Sequence, residues 1–516
     1  MAQRAVPLGR AGVAVAAALG LLTLGTLATV LARAGSASFG PADWAAVRFT
    51  LLQAGLSALL SVGLAVPVAR ALARRRFPGR GLLVSLLGAP FLLPVIVAVL
   101  GLLAVFGRSG LVNRGMEALG LPAFSIYGLQ GVVLANVFFN LPLGVRMLLA
   151  GWQAIPAERF RLAASLGFGP REVFRHLERP MLREVVPGAL LAVFLICLTS
   201  FAISLTLGGG PRASTIELAI YQALRFEFDL GRAAALAALQ FAICAVTVLV
   251  AGRIALPSGL GVGLDQTVMR WDAQGAGLRL VDSASVAALA VFLLLPLAQI
   301  VGRGLPGLTS LPPGIAAAAL RSLLVALGST ALCVMSALAL ALAITGGRWA
   351  RLLEAAGMLP LAASGLVLGT GLFLILHPFI APERLALPVT ALVNATMALP
   401  YALRLILPAL RGIEAGHGRL ADSLGLAGVA RLRWLILPRL RPALGFAAGI
   451  VAALSMGDLG VIALFAGQGG ATLPLAVQEL MGAYRMEQAA AAALLLVGLS
   501  FAVFVLFDLW GRHADT

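Results

Sequence analysis

Residues 136–146 read NVFFNLPLGVR, and residues 394–404 read NATMALPYALR. Each stretch sets Asn, Pro and Arg at the same spacing inside apolar text: Asn136, Pro142 and Arg146 recur as Asn394, Pro400 and Arg404, a shift of 258. The same shift carries Gly167 to Gly425, Pro180 to Pro438, and Ser165-Leu166-Gly167 to Ser423-Leu424-Gly425. Thr215 meets Thr472 at a shift of 257, and Thr50 and Ser57 meet Ser322 and Ser329 at 272. Single matches are common in Ala/Leu-rich text. One shift held across polar, proline and glycine positions marks an internal repeat.

The text between these markers belongs in lipid. The 516 residues are 60% hydrophobic and 11% charged, with a mean hydropathy of +1.00. A soluble chain is about 25% charged. A crossing helix needs about 20 apolar residues, and candidates lie at 11–32, 49–69, 82–106, 127–150, 187–207 and 233–252. The second half supplies 285–302, 320–345, 357–376, 387–408, 443–466 and 489–510. The first apolar run follows Arg4 and Arg10 but exceeds the h-region of a signal peptide, so it reads as a retained span. The predicted fold is therefore all-α and integral to the membrane. Its twelve helices form two tandem six-span halves, 1–252 and 285–516, joined by a cytoplasmic linker at 253–284. Six spans per half make the repeats parallel.

All 38 basic residues are Arg, which excludes chemistry that needs a P-loop or Schiff-base lysine. With the N-terminus inside, 27 of the 38 fall on the cytoplasmic side, as the positive-inside rule requires. Both termini are expected in the cytoplasm. The net charge of +17 thus reflects membrane orientation and calls for no nucleic acid. Cys197, Cys244 and Cys333 sit in apolar runs without paired spacing, and His176, His377, His417 and His513 are scattered. No disulfide framework or metal site is expected.

Each half holds one long amphipathic loop between its fourth and fifth spans, at 157–187 and 411–442. In the first, Leu162, Leu166, Val173, Phe174 and Leu177 form apolar faces among Arg and Glu, and Gly167 divides two short helices. Such a segment either rests on lipid headgroups or docks a soluble partner, needed twice because the chain is twofold. The Gly-to-Pro intervals, Gly167 to Pro180 and Gly425 to Pro438, resemble the E-A-A-x3-G-x9-I-x-L-P loops of ATP-binding-cassette importer permeases. The match departs at the acid, replaced by Arg161 and Arg419, and at the first Ala, replaced by Leu162 and Leu420. Leu437 keeps the residue before the final Pro in the second loop, where the first has Arg179. The resemblance marks Arg161, Leu162, Ala163, Ala164, Gly167, Glu172, Leu177 and Pro180 as one coupling surface. Arg419, Leu420, Ala421, Gly425, Leu435 and Pro438 form the other.

Over most of the chain the text is similar to permeases of thiamine and thiamine pyrophosphate importers. The matching stretches are 74–80 (RRRFPGR), 127–131 (YGLQG), 136–142 (NVFFNLP), 201–222 (FAISLTLGGGPRASTIELAIYQ) and 454–465 (LSMGDLGVIALF). The resemblance implies a permease subunit, not an enzyme, in a bacterial inner membrane. It also implies two copies of a cytoplasmic ATPase, which bind the ATP and Mg that this chain does not, and a periplasmic thiamine-binding protein. A ferric-iron or other small-solute importer of the same architecture is the alternative. A major-facilitator-type transporter would carry mixed charge in the loop between spans two and three, which here is purely basic.

Polar groups inside spans are the pathway candidates. Asn136, Asn140 and Asn394 either line the route or tie helices together. Ser200, Ser455 and Asp458 are the corresponding set in spans five and eleven. An Asp458 carboxylate would attract a thiazolium, or would serve a helix end. Phe201 and Tyr221 either stack on a pyrimidine or pack as core.

Overall fold

The computed structural model describes residues 8–35, 39–88, 93–210, 213–253, 270–347, 349–467 and 469–512, and every regular element among them is helical. Arg4, Arg348, His513 and residues 254–269 of the linker fall outside the described residues. The first half comprises α1 (Leu8–Ala34), α2 (Pro41–Arg74), α3 (Arg80–Leu86), α4 (Val95–Phe106), α5 (Leu111–Ala118) and α6 (Leu129–Ala154). It continues through α7 (Ala157–Ser165), α8 (Pro170–Val173), α9 (Arg179–Leu198), α10 (Phe201–Leu207), α11 (Ile216–Gln222) and α12 (Leu230–Ala251). The second half repeats the series. Its helices are α13 (Ala276–Gly307), α14 (Ile315–Gly346), α15 (Ala350–Met358), α16 (Gly365–Leu376) and α17 (Pro382–Ser423). After them come α18 (Gly428–Arg431), α19 (Leu437–Met456), α20 (Gly460–Phe465), α21 (Leu473–Gly482) and α22 (Met486–Arg512).

Among the described residues, eleven helices are long and apolar enough to cross a membrane. The twelfth expected span, 357–376, is a bent pair: residues 350–362 meet Gly365–Leu376 at 90°. Three other expected spans are also interrupted. Span 82–106 divides into α3 and α4, span 187–207 breaks at Thr199 and Ser200, and span 443–466 breaks at Gly457 to Leu459. A membrane tolerates such breaks only where protein groups satisfy the freed backbone.

The repeat is visible in the packing. The burial pattern of residues 11–30 is identical, position for position, to that of 281–300. Each half opens with a helix that crosses to the other: α1 packs along α14 and α16, and α13 along α2 and α4. At the crossings a glycine admits the neighbouring backbone. A Cβ on Gly371 of α16 would lie 2.5 Å from the Thr26 Cβ of α1, and a Cβ on Gly101 of α4 would lie 2.8 Å from the Pro296 carbonyl of α13. Both members of that pair of contacts are related by one shift of 270. The same hydrogen bond also closes each half, from the Ile216 N–H to Thr50 Oγ1 (2.9 Å) and from the Leu473 N–H to Ser322 Oγ (2.8 Å).

Among the described residues the buried side chains form three apolar clusters. One lies in the first half around Phe138 and Leu148 and takes in Leu289 and Leu293 of α13, one lies in the second around Leu340 and Leu403 and takes in Leu19 of α1, and one runs between the halves. The middle cluster joins Ile96, Phe201 and Ile216 to Leu366, Met456 and Phe465. All three cysteines are buried and free.

Candidate functional site

Two regions combine the sequence candidates: the paired loops at one face, and the helix breaks between the halves.

In the first loop α7 ends in a Schellman turn. The Phe168 N–H bonds the Ala163 carbonyl and the Gly167 N–H bonds that of Ala164, with Gly167 at φ 69°. The second loop repeats it, Leu426 to Ala421 and Gly425 to Asp422, with Gly425 at φ 68°. These left-handed positions are where glycine is free and other residues are strained. Each loop then passes through one widened π-helical turn at equivalent places, Phe174–Glu178 and Leu432–Ile436.

The turns leave matching leucines in the open. Leu162 and Leu166 are 61% exposed, Leu420 58% and Leu424 66%. Phe174, Val429 and Trp434 extend the two apolar surfaces, and Val173 is instead fully buried. Of the expected coupling residues, Arg161, Ala164, Gly167, Glu172 and Pro180 are exposed, as are Arg419, Gly425 and Pro438. Leu177 is half-buried, and Ala163, Ala421 and Leu435 face inward and anchor the loops. The expectation of a separate loop beginning at 411 is corrected: α17 continues without interruption from the span to Ser423. Its counterpart α6 stops at Ala154, where Ile155 turns extended (ψ 119°) ahead of Pro156, whereas the equivalent position 414 is a Glu that bonds Arg431.

The anchoring beneath the loops differs between halves. Fully buried Glu178 forms an ion pair with Arg70 (2.8 Å) and accepts from Arg270 (2.9 Å) and the Trp152 indole (3.3 Å). Arg270 also grips Asp272 through two 2.7 Å bonds and lies over the Phe160 ring. The Trp271 indole donates to the Phe168 carbonyl at 3.0 Å, so the end of the linker clasps the first loop. Arg74 and Arg75 meet Asp282 of α13 nearby. Burial alone would push the Asp272 carboxyl up, but the hydrogen bonds and charge of Arg270 outweigh it and hold it below the usual carboxylate range. In the second half the positions of Glu178, Trp152 and Arg70 are Ile436, Leu410 and Leu342, which pack together in its core.

Between the halves, the break after α9 frees carbonyls that side-chain amides take up. Gln53 donates to the Cys197 carbonyl (2.8 Å) and Gln240 to that of Leu198 (2.9 Å), while Ser200 Oγ donates back to Cys197 (3.0 Å). Asn136 bonds Gln53 Oε1, and Asn140 bonds the Asn136 carbonyl and Cys197 Sγ. Asn394 bonds Ser455 Oγ at 3.0 Å. The three asparagines thus join spans to one another. Asp458 lies just before α20, facing the N–H groups of Gly460, Val461 and Ile462. Its Oδ2 is buried and has no partner among the described residues. Phe201 and Tyr221 form an edge-to-face pair at 5.3 Å. Gln53, Gln240 and Glu217 escaped the sequence reading, although each is a polar residue in or beside an apolar run.

Known proteins similar to this chain fit the geometry. The chain is 40% identical over 505 residues to the thiamine transport system permease protein ThiP of Brucella abortus (strain 2308), covering 95% of this chain and 93% of the relative. It is 42% identical over 491 residues to the protein of that name in Escherichia coli (strain K12), covering 92% and 90%. It is also 35% identical over 214 residues to the molybdenum transport system permease protein ModB of Mycobacterium bovis (strain ATCC BAA-935 / AF2122/97). That match takes 41% of this chain but 80% of the relative, so the relative has the size of one half. No family model matches the chain.

Proposed function

The chain belongs to the family of thiamine transport system permeases, and from that premise we propose that it is the membrane-spanning permease of an ATP-driven importer that carries thiamine and thiamine phosphates. One observation carries the ATP-driven part of the reading: the same exposed, leucine-bearing turn stands twice on one face of a twofold membrane protein. Each turn suits the groove of one copy of a soluble ATPase, in a helix-in-groove mode. Burying one such leucine contributes about 2 kcal/mol.

The Arg-rich loops then face the cytoplasm of a bacterial cell with an inner membrane, and the positive-inside rule supports that orientation. Gly12 of α1 meets Ala339 and Ala343 near the end of α14, and Gly511 of α22 meets Arg441 and Pro442 at the end of the second loop, contacts that support the same side for both ends. Both termini are therefore read as cytoplasmic. A periplasmic thiamine-binding protein delivers substrate at the opposite face. ATP and Mg bind the partner ATPases, whose closure moves the two loops and rocks the halves about the interface between them.

The test is uptake of labelled thiamine by cells that lack their own importer and express this chain with its ATPase and binding protein. Uptake is expected, and it should vanish in a Gly167→Pro/Gly425→Pro version. An assembled complex without uptake contradicts the thiamine reading, and equal uptake by both versions contradicts the role of the loops.

A further inference from the structure

Two carboxylates lie where the halves meet, and neither belongs to the coupling machinery. Glu217, 2% exposed at the start of α11, sits against the Ser364 side chain of the second half and the Phe201 backbone. Asp458 of the second half lies just before α20, and its buried Oδ2 is unpaired among the described residues. Phe201 stands between them: a Cβ on Gly460 would lie 3.7 Å from Phe201 Cδ1 and 3.9 Å from Asp458 Oδ1. Tyr221 meets the Phe201 ring edge-to-face. A guanidinium close by, that of Arg225, donates to the Ala466 carbonyl at 2.9 Å.

Four helix ends converge here. The break after α9 and the break after α19 face the N-termini of α4 and α16, with a Cβ on Gly457 coming within 3.0 Å of Pro94 Cα and Ser364 capping α16 through the Val367 N–H. Discontinuous helices meeting at the interface of two repeats are where transporters place substrate, and an acid in such a place is costly unless a cation visits it. The acids also break the repeat. The counterparts of Glu217, Asp458, Phe201 and Tyr221 are Pro474, Ser200, Leu459 and Gln478. A gate alone would need no such asymmetry, whereas one asymmetric cargo does.

We propose that Glu217 and Asp458 are the counter-charges, and Phe201 and Tyr221 the aromatic faces, of a translocation site for an aromatic organic cation between the halves. The inference rests on the thiamine reading, whose thiazolium is such a cation and favours an aromatic face as well as a carboxylate. The closed interface of this structure is the state between passages. Opening the halves separates Phe201 from Gly460 and exposes both acids to the route.

The experiment uses proteoliposomes holding the complete complex of permease, ATPase and binding protein, with thiamine uptake and ATP hydrolysis measured together. Failure of the wild-type complex to take up thiamine overturns the functional reading itself. Given wild-type uptake, Glu217→Gln and Asp458→Asn are each expected to lower thiamine moved per ATP about tenfold. Hydrolysis stimulated by the loaded binding protein should stay intact, and Asp458→Glu should restore transport. Unchanged thiamine per ATP in both neutral variants overturns the proposal, as does parallel loss of hydrolysis and uptake, which marks a structural role. Phe201→Leu, which installs the residue the second half carries, reads the aromatic face should the acid variants fail to assemble. A raised KM for thiamine is expected, and an unaltered KM overturns it.

Discussion

Glu178 holds two guanidiniums and an indole while wholly withdrawn from water. Removing one partner of such a set leaves charge buried without compensation, which costs about 3–5 kcal/mol. Glu178→Ala should therefore lower the thermal midpoint of the detergent-purified protein clearly, and Ile436→Ala at the equivalent position should cost about 2–4 kcal/mol as a cavity. Asp272 in the same cluster gives the clasp a pH dependence. Its folded pKa is depressed, so its stabilising contribution is fully present above the unfolded value of about 3.9 and is lost as pH falls through the lower folded value. Trp271 fluorescence followed during acid titration should hold steady down to pH about 4 and change only below it. A change centred near neutrality would contradict this.

At the scale of elements, the proposed coupling to the ATPases rests on the loops. Gly425→Val places a β-branched residue at a left-handed position, which costs about 1–2 kcal/mol and misaims the exposed leucines. ATPase co-purification should fall while the spans remain folded, as far-ultraviolet circular dichroism would report. The loops were legible in the sequence because Gly167, Pro180 and their partners stand out against apolar text. The clasp was not, because Arg270 and Glu178 are 92 residues apart and only folding brings them together. The breaks at Ser200 and Gly457 were hidden for another reason. Ser and Gly are ordinary inside membrane helices, and at Ser200 it takes the Gln53 and Gln240 amides, from other spans, to make the break tolerable.

At the scale of the molecule, two halves are held by exchanged helices, which composition could not reveal. An apolar helix such as α1 carries no mark of which half it will pack on. The glycine at each crossing is the device: Gly371→Leu should drive α1 off α16 and lower stability. The comparison variant is Leu21→Ala, on the exposed side of α1 itself. The expected result is a lower thermal midpoint for Gly371→Leu, and for Gly101→Leu at the equivalent crossing, against little change for Leu21→Ala. The central claim is that two soluble ATPases drive this permease through its two exposed turns. Its most direct measurement is ATP-dependent thiamine uptake into proteoliposomes containing the full complex, with wild-type chain or with Leu162→Glu/Leu420→Glu. The account predicts uptake that requires ATP in the wild type and is abolished in the folded double variant. Uptake that proceeds without ATP, or that survives the double substitution, would contradict it.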